Sequence, residues 1–260
     1  MPLRANALPQ PAGLAAPLLR GWPALQARLV NRIKSAALRH LHASAAGERL
    51  LLRLYLLGEE CTEIALPSEL LGEPPAWLAR QMAHHLADER HHAALFAAAL
   101  AAHGEPAPER LAPAGAPASA PASAPAGAPA QLDSLSRRKI AQWRALAQRN
   151  GTRFSAGLLV PAFAICLCTE QMASRVLQRH CKVIGTTHPL YPLLSGVLRD
   201  EDRHVRLCTQ TLARLVTPAE QASLALLLEE IRAIDRAWGI SGALALYGAG
   251  IASRLWPARA

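Results

Sequence analysis

Aromatic residues make up only 4% of this 260-residue chain. Val and Ile are also sparse beside Leu and Ala. The 51% hydrophobic fraction is therefore of the kind that favours helix over strand. No segment alternates apolar and polar residues convincingly enough to read as a strand. The five cysteines are odd in number and include no C-x-x-C pair, which argues against a disulfide-stapled scaffold and a zinc ribbon. Free thiols fit a reducing, cytoplasmic setting. The N-terminus lacks the charged, apolar and cleavage-site order of a signal peptide. The longest apolar run, residues 157–168, is 12 residues long, too short to span a bilayer, so no membrane partner is expected. No glycine-rich phosphate loop precedes a strand, and no Ser/His/Asp arrangement stands out.

What is present begins with charge. The chain carries 28 Lys and Arg against 19 Asp and Glu, a formal +9 with a pI near 10. This excludes an acidic solubilising protein and leaves anionic partners open, because net charge governs encounter rather than fold.

The clearest boundary is Ala112 to Ala130, 19 residues of Ala, Pro, Ser and Gly with proline at every fourth position. Each proline removes a helix donor, so an extended linker is expected over 104–131. The flanks read as helices. They span about 23–43, 48–66, 76–102, 133–150, 154–183, 193–215 and 217–238, with a short one closing the chain. Gly47 is expected to break the chain between the first two, and Pro161 to bend the fifth. The organisation expected is an N-terminal extension and flanking helix (1–47), a helical pair (48–103), the linker, a flanking helix with a second pair (132–216), and C-terminal helices (217–260).

The two sides of the linker repeat one another. Glu59 lies in an apolar helix and is followed thirty residues later by Asp88-Glu89-Arg90-His91-His92. Glu170 lies in another and is followed thirty-one residues later by Asp200-Glu201-Asp202-Arg203-His204. Chance placement of these residue types gives on the order of 0.01 Asp-Glu-x-x-His matches in such a chain. Residues i and i+3 share a helix face, so Glu89 with His92, and Glu201 with His204, each aim an oxygen and a nitrogen at one point. About half of each gap climbs one helix and half descends the next, which returns Glu59 and Glu170 to the same level. Four carboxylates and two imidazoles then neutralise two divalent ions. Without metal, four carboxylates in an apolar interior would be very costly. The mixed donors suit iron or manganese better than thiolate chemistry.

This set resembles the ligand set of the ferritin-like di-iron carboxylate superfamily, in which a Glu from each of two helices joins Glu-x-x-His from the other two. Glu59, Glu89, His92, Glu170, Glu201 and His204 match it in order over about residues 48–215. The Asp-Glu-x-x-His form looks like that of oxygen-activating members such as acyl-carrier-protein desaturases, ribonucleotide reductase small subunits and di-iron N-oxygenases. The resemblance implies an all-α, ferritin-like four-helix bundle with flanking helices. Its cofactor would be two iron ions, with manganese or a mixed pair left open. The implied function is an oxidase or oxygenase acting on O₂ and an organic substrate. The alternatives are an iron-oxidising storage protein and a non-catalytic bundle with a vestigial site. It also implies that Asp200 holds His92 and Asp88 holds His204 across the bundle, through the ring nitrogens that face away from metal. Candidate partners are an acidic carrier protein, an electron-transfer protein or a second copy of the chain; nucleic acid is the least favoured.

Three further residues lie one turn from these. Glu63 and His85 are displaced toward the same end of the bundle and would share a level, as an extra ligand or as a supporting pair; the second half has Ser174 and Val197 there. Tyr55, one turn before Glu59, is either a redox neighbour or core packing. His40, His42 and His84 read as surface histidines, and Cys166, Cys168 and Cys208 as small core residues. If the four glutamates with Asp88 and Asp200 all leave the surface, the exposed charge approaches +15.

Overall fold

The computed structural model describes residues 14, 19–65, 74–104 and 134–255. Seven α-helices occupy them: α1 (Gly21–Leu41), α2 (Ala45–Ala65), α3 (Ala76–Ala102), α4 (Ser134–Gly151), α5 (Leu159–Ile184), α6 (Tyr191–Leu215) and α7 (Gln221–Leu255). A single 3₁₀ turn, Pro218–Glu220, precedes α7. Among the described residues there is no strand, and no helix is long and apolar enough to cross a membrane. The expected linker over 104–131 and the turn between α2 and α3 fall largely outside the described residues.

Local chemistry sets most boundaries. Pro75 precedes α3 and Pro192 sits in the first turn of α6, where a missing N–H costs nothing. Thr217 and Glu220 form a reciprocal capping box at the start of the last helical segment. Gly185, at φ 75°, ends α5 in a conformation that other residues rarely adopt.

Three expectations need correction. The fifth helix starts at Leu159 rather than near 154, so Pro161 falls in its first turn and introduces no bend. Gly47 does not break the chain; it lies inside α2, where a Cβ would stand 2.1 Å from the Leu41 carbonyl oxygen. The break is at 42–44, and Gly47 is what lets the start of α2 pass the end of α1. The helix expected to stop near Trp238 continues to Leu255. Tertiary packing overrides the cost of its glycines, because α1 lies along α7 and Gly250 leaves room for His40 and Ala37.

The helices pack mainly as pairs: α2 with α3, α5 with α6, and α1 with α7. The first two pairs meet through α3 and α6, which carry the Asp-Glu-x-x-His segments. Two apolar layers fill the space between them. One contains Leu78, Phe163, Leu167 and Leu212 and continues onto α7. The other contains Leu52, Phe96, Leu177 and Leu194. Along α3, α5 and α6 the buried residues His85, Glu89, His92, Glu170, Glu201 and His204 lie between these layers.

Candidate metal centre

α3 buries His85, Glu89 and His92, successive residues on one face three or four apart. α5 contributes Glu170, and α6 contributes Glu201 and His204. All are at most 4% exposed. Glu59 reaches in from α2 and is slightly more open.

The side chains fall into two overlapping groups. In one, ligand atoms of Glu59, Glu89, His92 and Glu201 all lie within 4.8 Å of one another; in the other, those of His85, Glu89, Glu170 and His204 do. Glu89 belongs to both. All six residues of the repeat are thus brought together, and His85 joins them as a seventh. His85 Nε2 is 3.2 Å from both Glu89 Oε1 and Glu170 Oε1, and its ring lies 4.0 Å from that of His204. The side chain of Glu63 lies outside the described residues, and with it the level it was expected to share with His85.

The aspartates reach across the bundle. His92 Nε2 is 3.1 Å from Asp200 Oδ2, and His204 Nε2 is 3.3 Å from Asp88 Oδ2. Both histidines therefore turn Nδ1 inward. His204 Nδ1 stands 3.1 Å from Glu89 Oε1, and His92 Nδ1 3.6 Å from Glu59 Oε2. Arg203 bonds both aspartates from outside. Asp88 and Asp200 remain partly exposed, so of these six acids only the four glutamates leave the surface tally. With those four set aside, 15 acids stand against 28 cations, a balance of +13 rather than +15.

These inward atoms are close but not aligned as hydrogen bonds. Both His85 nitrogens, His92 Nδ1, His204 Nδ1, Glu89 Oε1 and Glu201 Oε2 are buried with no hydrogen-bond partner. Unpaired buried polar atoms are costly, and those here belong to residues whose ligand atoms converge on two shared points. Electrostatics agree. Burial, reinforced by Glu170, pushes the Glu201 carboxyl up to about 12, and burial raises Glu59 to about 8. Burial opposes ionisation of His85, yet the facing Glu170 and Glu89 carboxylates raise it to about 11. Glu170, despite its own burial, is held well below the usual carboxylate range by His204 and His85. Protons on Glu and His thus balance the charge of the buried carboxylates. The donor set fits a pair of divalent ions: three oxygens and one nitrogen in one group, two of each in the other.

Tyr55 points away from the cage. It stacks on Phe96 and its hydroxyl is 2.8 Å from His180 Nδ1. His180 Nε2 in turn meets His42 Nε2 at 2.5 Å, and His42 Nδ1 lies 2.9 Å from Glu48 Oε1. His188 and His103 also contact Glu48, at 3.2 and 3.1 Å. His42 is therefore not a plain surface histidine, because it belongs to a polar cluster at one end of the bundle. No sequence spacing flags that cluster, since its members come from five separate helix ends and turns. His84 is exposed, and Cys166, Cys168 and Cys208 are buried. No family model, curated protein or solved structure matches the chain.

Proposed function

We propose that the chain is a ferritin-like di-metal carboxylate protein whose buried centre holds two iron ions, and that it is an oxidase or oxygenase using O₂ on an organic substrate. The observation that carries this reading is the pair of ligand groups sharing Glu89, with their inward atoms buried and unpartnered. Glu59, His92 and Glu201 would hold one ion, and His85, Glu170 and His204 the other, with Glu89 between them. When bound, ferrous iron supplies the electrons and open coordination positions that O₂ reduction needs.

The chain's own residues do the rest. Asp200 and Asp88 accept the Nε2 protons of His92 and His204, which fixes the tautomer and presents each Nδ1 lone pair inward. Arg203 bonds both aspartates and so holds them in place behind the two imidazoles. The apolar layers above and below exclude water from the donors and so strengthen every charge interaction among them. The cationic exterior favours an anionic partner, such as an acidic carrier protein that presents the substrate or an acidic electron donor.

Anaerobic loading with iron(II), metal analysis and O₂-uptake measurement test the proposal. Two irons per chain and O₂ consumption proportional to iron are expected. Failure to bind iron, or bound iron that leaves O₂ untouched, would overturn it. Elution as a shell-sized oligomer with bulk iron uptake would favour the storage alternative instead.

A further inference from the structure

Two cysteines stand one turn from the cage. Cys166 precedes Glu170 by four residues on α5, and Cys208 follows His204 by four on α6. Their sulfurs are 3.2 Å apart, and both residues are at most 4% exposed. The Cys208 thiol donates to Cys166 Sγ, and the Cys166 thiol donates to Glu170 Oε1 at 3.6 Å. The pair is thus joined in line to a cage carboxylate. Cys168 is equally buried, but it lies on the side of α5 that feels Arg232 and Asp235 of α7. A cysteine that only fills space has no need of a second thiol or a carboxylate beside it.

We propose that Cys166 and Cys208 are an internal dithiol that returns two electrons to the metal pair and closes to a disulfide. The inference rests on the occupancy of the cage by iron. Two S–H bonds break and one S–S bond forms. Two electrons pass to two ferric ions, one each, giving two ferrous ions. Two protons leave one after the other along the line Cys208–Cys166–Glu170, with the Glu170 carboxylate as first acceptor, and both end on the O₂ that the iron pair has reduced by two electrons, which departs as hydrogen peroxide. Burial keeps bulk thiols and peroxides from the pair, so its oxidant is the neighbouring centre rather than the solvent. A disulfide needs the sulfurs to close to about 2.05 Å, roughly an ångström of side-chain motion from their present separation.

The experiment uses the full chain loaded anaerobically with iron(II) and given a limited pulse of O₂. Iron content, O₂ uptake and free thiols after denaturation are read on the same sample. The chain has five thiols, and a fall to three is expected, with peptide mapping joining Cys166 to Cys208. The metal-free chain should keep all five under the same pulse. Cys168→Ser should still lose two thiols, and Cys208→Ser should form no intramolecular disulfide. If Cys208→Ser does not fold, peptide mapping of the unsubstituted chain decides. Iron bound and O₂ consumed with five thiols remaining would overturn this inference alone. No bound iron, or no O₂ uptake, would overturn it together with the proposed function.

Discussion

Glu89 is the residue on which the two ligand groups depend together, and this makes its replacement the most informative perturbation. Manganese(II) serves as the probe, because it occupies such donors without consuming O₂. An ion held at a hundred times its dissociation constant stabilises the folded state by about 2.7 kcal/mol, and two independent ions by about 5 kcal/mol. For a chain of this size that corresponds to a rise of about 10–20 °C in Tm. Glu59 belongs to one group only, so Glu59→Gln should remove about half of the gain. Glu89→Gln should remove nearly all of it, although each variant loses a single carboxylate. Glu201→Gln gives an internal control. Burial leaves Glu201 protonated in the metal-free protein, so the amide mimics it and the metal-free stability should change by less than about 0.5 kcal/mol. Urea unfolding with and without manganese measures all four proteins. Equal residual gains in the Glu59 and Glu89 variants, or no manganese effect in the unsubstituted chain, would refute the shared-ligand reasoning.

Metal uptake should release protons and tighten as pH rises, because Glu59, Glu201, His85 and His204 all have raised pKa values and hold protons that a cation must displace. Each proton released makes affinity change by about tenfold per pH unit, which calorimetry in buffers of different ionisation enthalpy can measure. Asp200→Asn should lower manganese affinity by about 10- to 100-fold through His92, with helix content unchanged by circular dichroism. Gly47→Ala should cost about 2–3 kcal/mol in urea unfolding, since its Cβ would meet the rigid Leu41 backbone. Glu220→Gln should cost about 1 kcal/mol at neutral pH, because the amide keeps a single oxygen for the two backbone N–H donors, Ser155 and Thr217, that the carboxylate accepts separately. Hydrogen bonds from the Ser155 and Thr217 backbone lower the folded-state pKa of Glu220 below its ordinary 4.5. Its contribution is therefore complete above about pH 4.5 and fades as pH falls through the lower folded value, where the variant and the unsubstituted chain should converge.

The six repeated residues were legible because helix geometry does the work. Three-residue spacing places Glu89 with His92 and Glu201 with His204, and the thirty-residue gaps return Glu59 and Glu170 to the same layer. The helices were legible for a similar reason, since Pro75, Gly185 and the Thr217–Glu220 box are local signals. His85 was harder to place. Its four-residue spacing from Glu89 is common on solvated faces, and only the approach of Glu170 and His204 from the other helical pair makes it part of the cage. The Glu48 cluster was opaque because its five members share no helix face or repeat. The length of α7 was also opaque, because its glycines are weak stops that packing against α1 overrides.

The repeat makes the two halves comparable, and the residues one turn away make them unequal. Where the first half has His85, the second has Val197. Where the second half has Cys166 and Cys208, the first has Tyr55 and Phe96, four residues from Glu59 and His92 in the same senses. At those matching positions one pair of side chains is linked by thiol hydrogen bonds and the other is a stack of rings 5.0 Å apart. The antiparallel helices put His85 and the thiols on one side of the carboxylate layer, and Val197, Tyr55 and Phe96 on the other. The centre is therefore polarised along the bundle axis. Its nitrogen-richer ligand group faces the sulfur side, and its oxygen-richer group faces the aromatic side. Two ions bound between them would not be equivalent, because nitrogen donors favour iron over manganese more strongly than carboxylates do. The shared motif accounts for the existence of a cage, and the unshared neighbours account for its direction.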